Sequence, residues 1–389
     1  MFTIQVDKTY QQIMKLFCRM GIWQSDDESH FRRIGKKLSY TFFSALFPIF
    51  FASNAFLCTD RSESILSVLV AIITSVIYVK FLYLLYKKPE ILAFLSDQTV
   101  VHSIENHEEY DRMNEKIKKF IGFVRPYCVA VFATVPLLLV WKLPMFSADK
   151  TLPYFISFSW NDSEIIYWLA YMFLSLQTPL YVIANLFTPL VWYIMLNYSI
   201  EYELLGNKFR KLGMGKKTDG TRSKNQKNLI VSQRSMFDED LIVLIKAHRK
   251  LAETIERCRS CFSALFLGQI TTSSICICAS AYCLAFASTE NILQTEMYAS
   301  MLLYGIFDIF LVTYLANEIT VASNRLSYCL FESNWVERAE SGKKYFLIMG
   351  EVLKQPQQLV ILIYPMNLGT FMKTINGAYS MFNIIKNFK

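Results

Sequence analysis

Apolar residues in this chain gather in long runs separated by short blocks of charge. Six runs, near 38–58, 64–86, 120–142, 166–198, 258–287 and 296–317, reach or exceed the length a helix needs to cross about 30 Å of hydrocarbon. A seventh occupies 343–388, where Pro356 and Pro365 interrupt it. There the pattern predicts a cytoplasmic helix to about 355, a short joint, and a last spanning helix from about 366. The expected fold is an all-α membrane protein with seven transmembrane helices: a cytoplasmic segment over 1–37, spans one to six within 38–342, and a broken seventh helix over 343–389.

Two runs are too long for the bilayer. A straight helix over 166–198 would measure about 50 Å, and the helical pattern leading into 258–287 starts near 239, so both are predicted to project into the cytosol as an inner bundle. The segment 208–228 between them carries eight basic residues, one acid and three glycines, too little apolar content to fold. It is predicted as a disordered loop near anionic lipid headgroups, whose pull of about 1 kcal/mol per basic residue competes with the plainer reading of a solvated linker.

Charge orients the bundle. The predicted inner segments hold 30 Lys and Arg residues and the outer ones two, Arg61 and Lys150, which places the N-terminus inside and the C-terminus outside. The tripeptide Asn161-Asp162-Ser163, a glycosylation sequon, then falls in the second outer loop. The first 37 residues hold no signal peptide, since Asp26, Asp27 and Glu28 interrupt them.

Composition narrows the class. Hydrophobic residues make up 53% of the 389, charged ones 19%, and the mean hydropathy is +0.28, which excludes a soluble, disordered or collagenous chain. The net charge of +8 sorts by loop and does not call for nucleic acid. Five of nine cysteines (Cys258, Cys261, Cys276, Cys278, Cys283) fall on one late apolar segment, a packing role rather than a disulfide framework. His102, Glu105, His107, Glu108 and Asp111 form the densest titratable patch, and His107 and Asp111 share a helix face. A solvated helix end explains that patch without a metal. No phosphate loop, nucleophile elbow or zinc signature occurs, so neither enzyme activity nor a cofactor is expected.

Polar residues inside the spans carry more information, because each is costly in hydrocarbon. Lys80 and Arg125 sit near inner ends and are expected to snorkel. Asp308 lies deeper, in the series Met297, Met301, Tyr304, Asp308, whose spacing of four, three and four defines one inward helix face. Ligand binding or gating and a structural hydrogen bond are both open for it. In the last helix Lys373, Asn376, Ser380, Asn383 and Asn387 recur at three, four, three and four residues, a polar stripe that suits a water-lined path for ions better than a packing seam. An apolar pocket in the outer half is expected from three inward faces. These are Thr134, Leu138 and Trp141 on the third span, Tyr171, Leu174 and Thr178 on the fourth, and Met301 and Tyr304 on the sixth, joined by Ile73 and Val76 from the second. Such a lining suits a small neutral volatile.

At the C-terminus, Glu351-Val352-Leu353-Lys354-Gln355-Pro356, then Tyr364-Pro365-Met366-Asn367-Leu368-Gly369-Thr370-Phe371, then Ala378-Tyr379-Ser380-Met381-Phe382, resemble the end of insect odorant receptors. The resemblance implies a tetrameric, odorant-gated cation channel at the plasma membrane of olfactory neurons. Tuning subunits would assemble with a shared co-receptor, and each last helix would contribute to a central pore with Phe382 near its narrowest part. It also implies a pocket between spans two, three, four and six. Thr374-Ile375 and Ala378-Tyr379 stand where the related gustatory receptors carry a different signature, and the short second cytoplasmic loop points to a tuning subunit rather than the co-receptor. A G-protein-coupled receptor is the alternative that seven helices alone suggest. The reversed charge bias and the missing Asn-Pro-x-x-Tyr pattern oppose it.

Overall fold

The structure, a computed structural model, describes residues 8–23, 29–58, 61–96, 106–141, 164–213, 226–286, 292–336 and 340–387. Helix α1 (Lys8–Arg19) precedes α2 (His30–Leu57), α3 (Arg61–Tyr86), the short α4 (Lys88–Ser96) and α5 (His107–Trp141). Then follow α6 (Glu164–Asn185), α7 (Phe187–Arg210), α8 (Gln226–Phe286), α9 (Ile292–Phe331) and α10 (Glu340–Leu353). Strands β1 (Val360–Ile361) and β2 (Tyr364–Pro365) lead into α11 (Leu368–Asn387). Among the described residues, α2, α3, the α6–α7 stretch, α8 and α9 are long and apolar enough to cross a membrane.

Helix α7 is the axis of the bundle. Nearly every one of its side chains is buried, Trp192, Tyr193 and Tyr202 completely, because α9, α8, α5 and α3 surround it. The fourth apolar run is therefore not one 50 Å rod: it breaks at Leu186, whose amide donates to the Ile183 carbonyl in a tight turn. Pro189 explains the position of the break. In a continuous helix its ring would clash with the carbonyl of residue 185, whereas in the first turn of α7 its missing N–H costs nothing. Pro179 stays inside α6.

The inner ends are laced by charge. Lys116 of α5 pairs with Glu203 of α7 and lies 3.9 Å from Glu318 of α9, Lys211 reaches Glu109 at 3.0 Å, and Arg210 pairs with Glu332. The basic segment predicted as disordered is shorter than expected at both ends, since α7 runs on to Arg210 and α8 starts at Gln226; most of 208–228 lies outside the described residues. Helix α8 likewise begins well before position 239, because polar residues without apolar period still continue a helix already nucleated by its packed part. His107 and Asp111 form an exposed ion pair at 2.7 Å, and no group of three possible metal ligands occurs among the described residues.

The break before the last helix is a hairpin. Val360 pairs with Pro365 and Ile361 with Tyr364, and Leu362 at its tip takes a left-handed φ of 56°. Arg259 of α8 donates to the Val360 carbonyl at 2.8 Å, and the Gln357 amide donates to Ser323 Oγ of α9 at 2.9 Å, so the hairpin is tied to both neighbours. Asn367 then caps α11, its Oδ1 accepting from the Thr370 amide at 2.9 Å. A side chain at Gly369 would place Cβ 3.1 Å from that oxygen, which accounts for the glycine.

Candidate functional site

Helices α3, α8 and α9 border a cavity of about 10 Å³, the space of one water molecule. Ile73 and Val76 line it from α3 and Tyr304, Gly305 and Asp308 from α9. From α8 come Gln269, Thr272, Ser273 and Cys276, at spacings that put Gln269, Ser273 and Cys276 on one face. Gly305 lets α8 and α9 approach: a Cβ there would stand 3.2 Å from Ile277 Cγ1 and 3.3 Å from the Ser273 carbonyl oxygen.

Beside it lies a second cavity of the same size, bordered by Lys80, Thr188, Trp192 and again Gln269. Lys80 does not snorkel as the sequence led us to expect. Its residue is 1% exposed, its Nζ donates to Thr188 Oγ1 at 2.9 Å, and it lies within the electrostatic reach of Asp308, itself 3% exposed. The expectation failed because the start of α7 at Phe187 brings Thr188 against α3, offering the ammonium a partner nearer than the headgroups. Three polar atoms of residues bordering these cavities have no hydrogen-bond partner in the structure, Asp308 Oδ1, Gln269 Nε2 and Trp192 Nε1.

Of the residues expected to line a pocket, Ile73, Val76 and Tyr304 meet at the first cavity. Tyr171, Leu174 and Thr178 are buried on α6, where Thr178 Oγ1 donates to the Leu174 carbonyl and Tyr171 sits against Tyr167 and Trp168; neither cavity touches them. Met301 is half-buried one turn above Tyr304. The side chains of Thr134, Leu138 and Trp141 lie outside the described residues, as does Asn161. Gln269, Ser273 and Cys276 were not anticipated, although their four-and-three spacing was a readable signal.

Helix α11 divides cleanly. Ala378 is buried against Ile277, Cys278 and Ile309, with Phe371, Ile375 and Phe382 packed beside it, so this face closes on α8 and α9. Lys373, Asn376 and Ser380 are exposed on the opposite side, and Asn383 is half-buried. Asn387 lies on the same helix, with its side chain outside the described residues. Phe382, which the resemblance puts near the narrowest part of the pore, has its ring stacked on Phe286 of α8 at 5.8 Å.

Long apolar helices around a buried axis and a hairpin-broken last helix define a multi-pass membrane protein. The sequence profile of the 7tm Odorant receptor family matches residues 62–379, and the chain belongs to that family. Odorant receptor 94a of Drosophila melanogaster is 26% identical over 97% of this chain and 95% of its own length. Odorant receptor 59a of the same fly is 23% identical over 93% and 94%. The insect olfactory receptor OR5 from Machilis hrabei, solved in complex with eugenol, superposes with a TM-score of 0.71 at 16% identity, covering 98% of this chain and 100% of that one. A second structure of the same receptor gives a TM-score of 0.69 at 14% identity, covering 97% of this chain and 99% of that one. The fold is thus the seven-helix fold of insect olfactory receptors, with α5 and α11 supplying the two crossings of more mixed composition.

Proposed function

We propose that this chain is the odorant-tuning subunit of a ligand-gated, non-selective cation channel, assembled with the family's co-receptor in the plasma membrane of olfactory neurons and without catalytic activity. The observation that carries this reading is the two-faced last helix. A polar stripe of Lys373, Asn376, Ser380 and Asn383 turned away from the subunit's own packing face needs water or partner helices around it, and several copies around an axis would make a wet path. Lys373 repels cations, so the co-receptor's helices would dominate selectivity. The ligand is a small neutral volatile, in keeping with the apolar walls Ile73 and Val76 and with the eugenol complex of the Machilis hrabei receptor.

The test is a current recording from cells expressing this chain with and without the co-receptor across a panel of volatiles. Odour-evoked cation current only when both are present is expected. Asn383→Ala is expected to alter permeability ratios or block, and Tyr304→Ala to shift the dose response by several-fold. Unchanged ratios for Asn383→Ala would remove α11 from the pore, and an unmoved dose response would remove the cavity from the ligand site.

A further inference from the structure

We infer that Asp308 and Gln269 form a hydroxyl-recognition subsite at the floor of the inter-helix cavity, so that the chain prefers small alcohols and phenols over ethers, esters and hydrocarbons of the same skeleton. The inference rests on the reading of this cavity as part of an odorant site. Two groups define the floor. Asp308 Oδ1 is an acceptor and Gln269 Nε2 a donor; their residues are 3% and 5% exposed, both border the cavity, and neither atom has a partner in the structure. Buried polar atoms in hydrocarbon surroundings are costly unless bonded, so whatever enters must serve both.

A hydroxyl is the single-oxygen group that does so, giving its hydrogen to Asp308 and accepting one from Gln269. Ether, ester and aldehyde oxygens only accept, and would leave the aspartate oxygen stripped of water and unpaired. A carboxylate would meet Asp308 with like charge. An ammonium would compete with Lys80, which already stands within the electrostatic reach of Asp308. Size points the same way. The cavity of about 10 Å³ admits one oxygen, while Ile73, Val76 and the Tyr304 ring supply apolar surface for the rest of a ligand. A ligand hydroxyl reproduces the bonds of the water it displaces, and an ether does not.

The experiment compares matched alcohols, methyl ethers and hydrocarbons on straight-chain, branched, terpenoid and aromatic skeletons, hexanol and phenethyl alcohol among them. Currents are recorded with the co-receptor and normalised to those evoked by a co-receptor agonist. Alcohols are expected to be roughly tenfold more potent than their ethers, the worth of one well-placed hydrogen bond. Asp308→Leu should bring that ratio close to one, because it removes the bond that ethers already lack; Asp308→Asn, which keeps an acceptor oxygen, should preserve most of the ratio, and Gln269→Leu should weaken alcohols and ethers alike. Ethers as potent as alcohols on the unaltered chain would overturn the subsite and leave the odorant reading standing. Equal weakening of alcohols and ethers by Asp308→Leu, with their ratio unmoved, would show a packing role and overturn it too. Silence of the whole panel beside an intact co-receptor response would overturn both.

Discussion

Replacing Lys80 by methionine removes a buried amine from the wall of the second cavity. The residue is 1% exposed, bonded to Thr188 Oγ1 at 2.9 Å and within the electrostatic reach of Asp308, itself 3% exposed. If Lys80 contributes only its hydrogen bond, Lys80→Met and Thr188→Val should each cost about 1.5–3 kcal/mol. If it offsets the buried carboxylate, Lys80→Met should cost about 3–5 kcal/mol, a large share of a total stability of roughly 5–15 kcal/mol, and Thr188→Val clearly less. The charge account also predicts rescue. Lys80→Met with Asp308→Leu replaces the pair by apolar side chains and should recover most of the loss, a coupling of at least about 2 kcal/mol. The four corners of the cycle can be read by thermal unfolding of detergent-purified protein, with surface labelling in cells as a second measure. Additive losses in the double variant, or equal costs for Lys80→Met and Thr188→Val, would refute the pairing.

Two further outcomes are expected. His248, on the part of α8 that precedes the apolar run 258–287 and packed at 6.2 Å from the Tyr202 ring, is held below the usual histidine value by burial, so the folded state resists protonation. Its stabilising effect is complete above about pH 6.5 and is lost as pH falls from there toward the depressed value. The unfolding temperature should decline across that window, and His248→Gln should flatten the decline; parallel pH curves for the two proteins would contradict this. Gly305→Val should force α8 and α9 apart against Ile277 and the Ser273 carbonyl, costing about 1–3 kcal/mol, while Gly268→Ala, where nothing stands within 4 Å, should be neutral in the same unfolding assay.

The helical periods of single runs were legible in the sequence, and contacts between runs were not. Spacing alone put Tyr304 and Asp308 on one face, and both border the first cavity. The polar stripe of α11 was equally plain, because Ala378 and Phe382 alternate with it at helical intervals. The environment of Lys80 was not legible, because its depth along α3 does not reveal that Thr188 lies across from it. The hairpin at Val360–Pro365 had no readable period in two-residue strands, and its anchors Arg259 and Ser323 come from distant helices. Gln269 was passed over on a segment whose cysteines drew the reading toward packing.

Helix α1 closes the bundle from the inside. Tyr10 stacks on Tyr193 of α7 with ring centroids 4.0 Å apart, and Trp23 Nε1 donates to the Leu84 carbonyl at 3.0 Å, near the end of α3. Helix α1 thus cannot reach its final place until residue 193 has been synthesised and inserted. Until then Tyr10, Ile13 and Phe17, all buried in the folded chain, lack the surface that covers them. An early helix therefore waits for a later one, and a bulky group attached close to α1 would hinder that docking rather than the insertion of the spans.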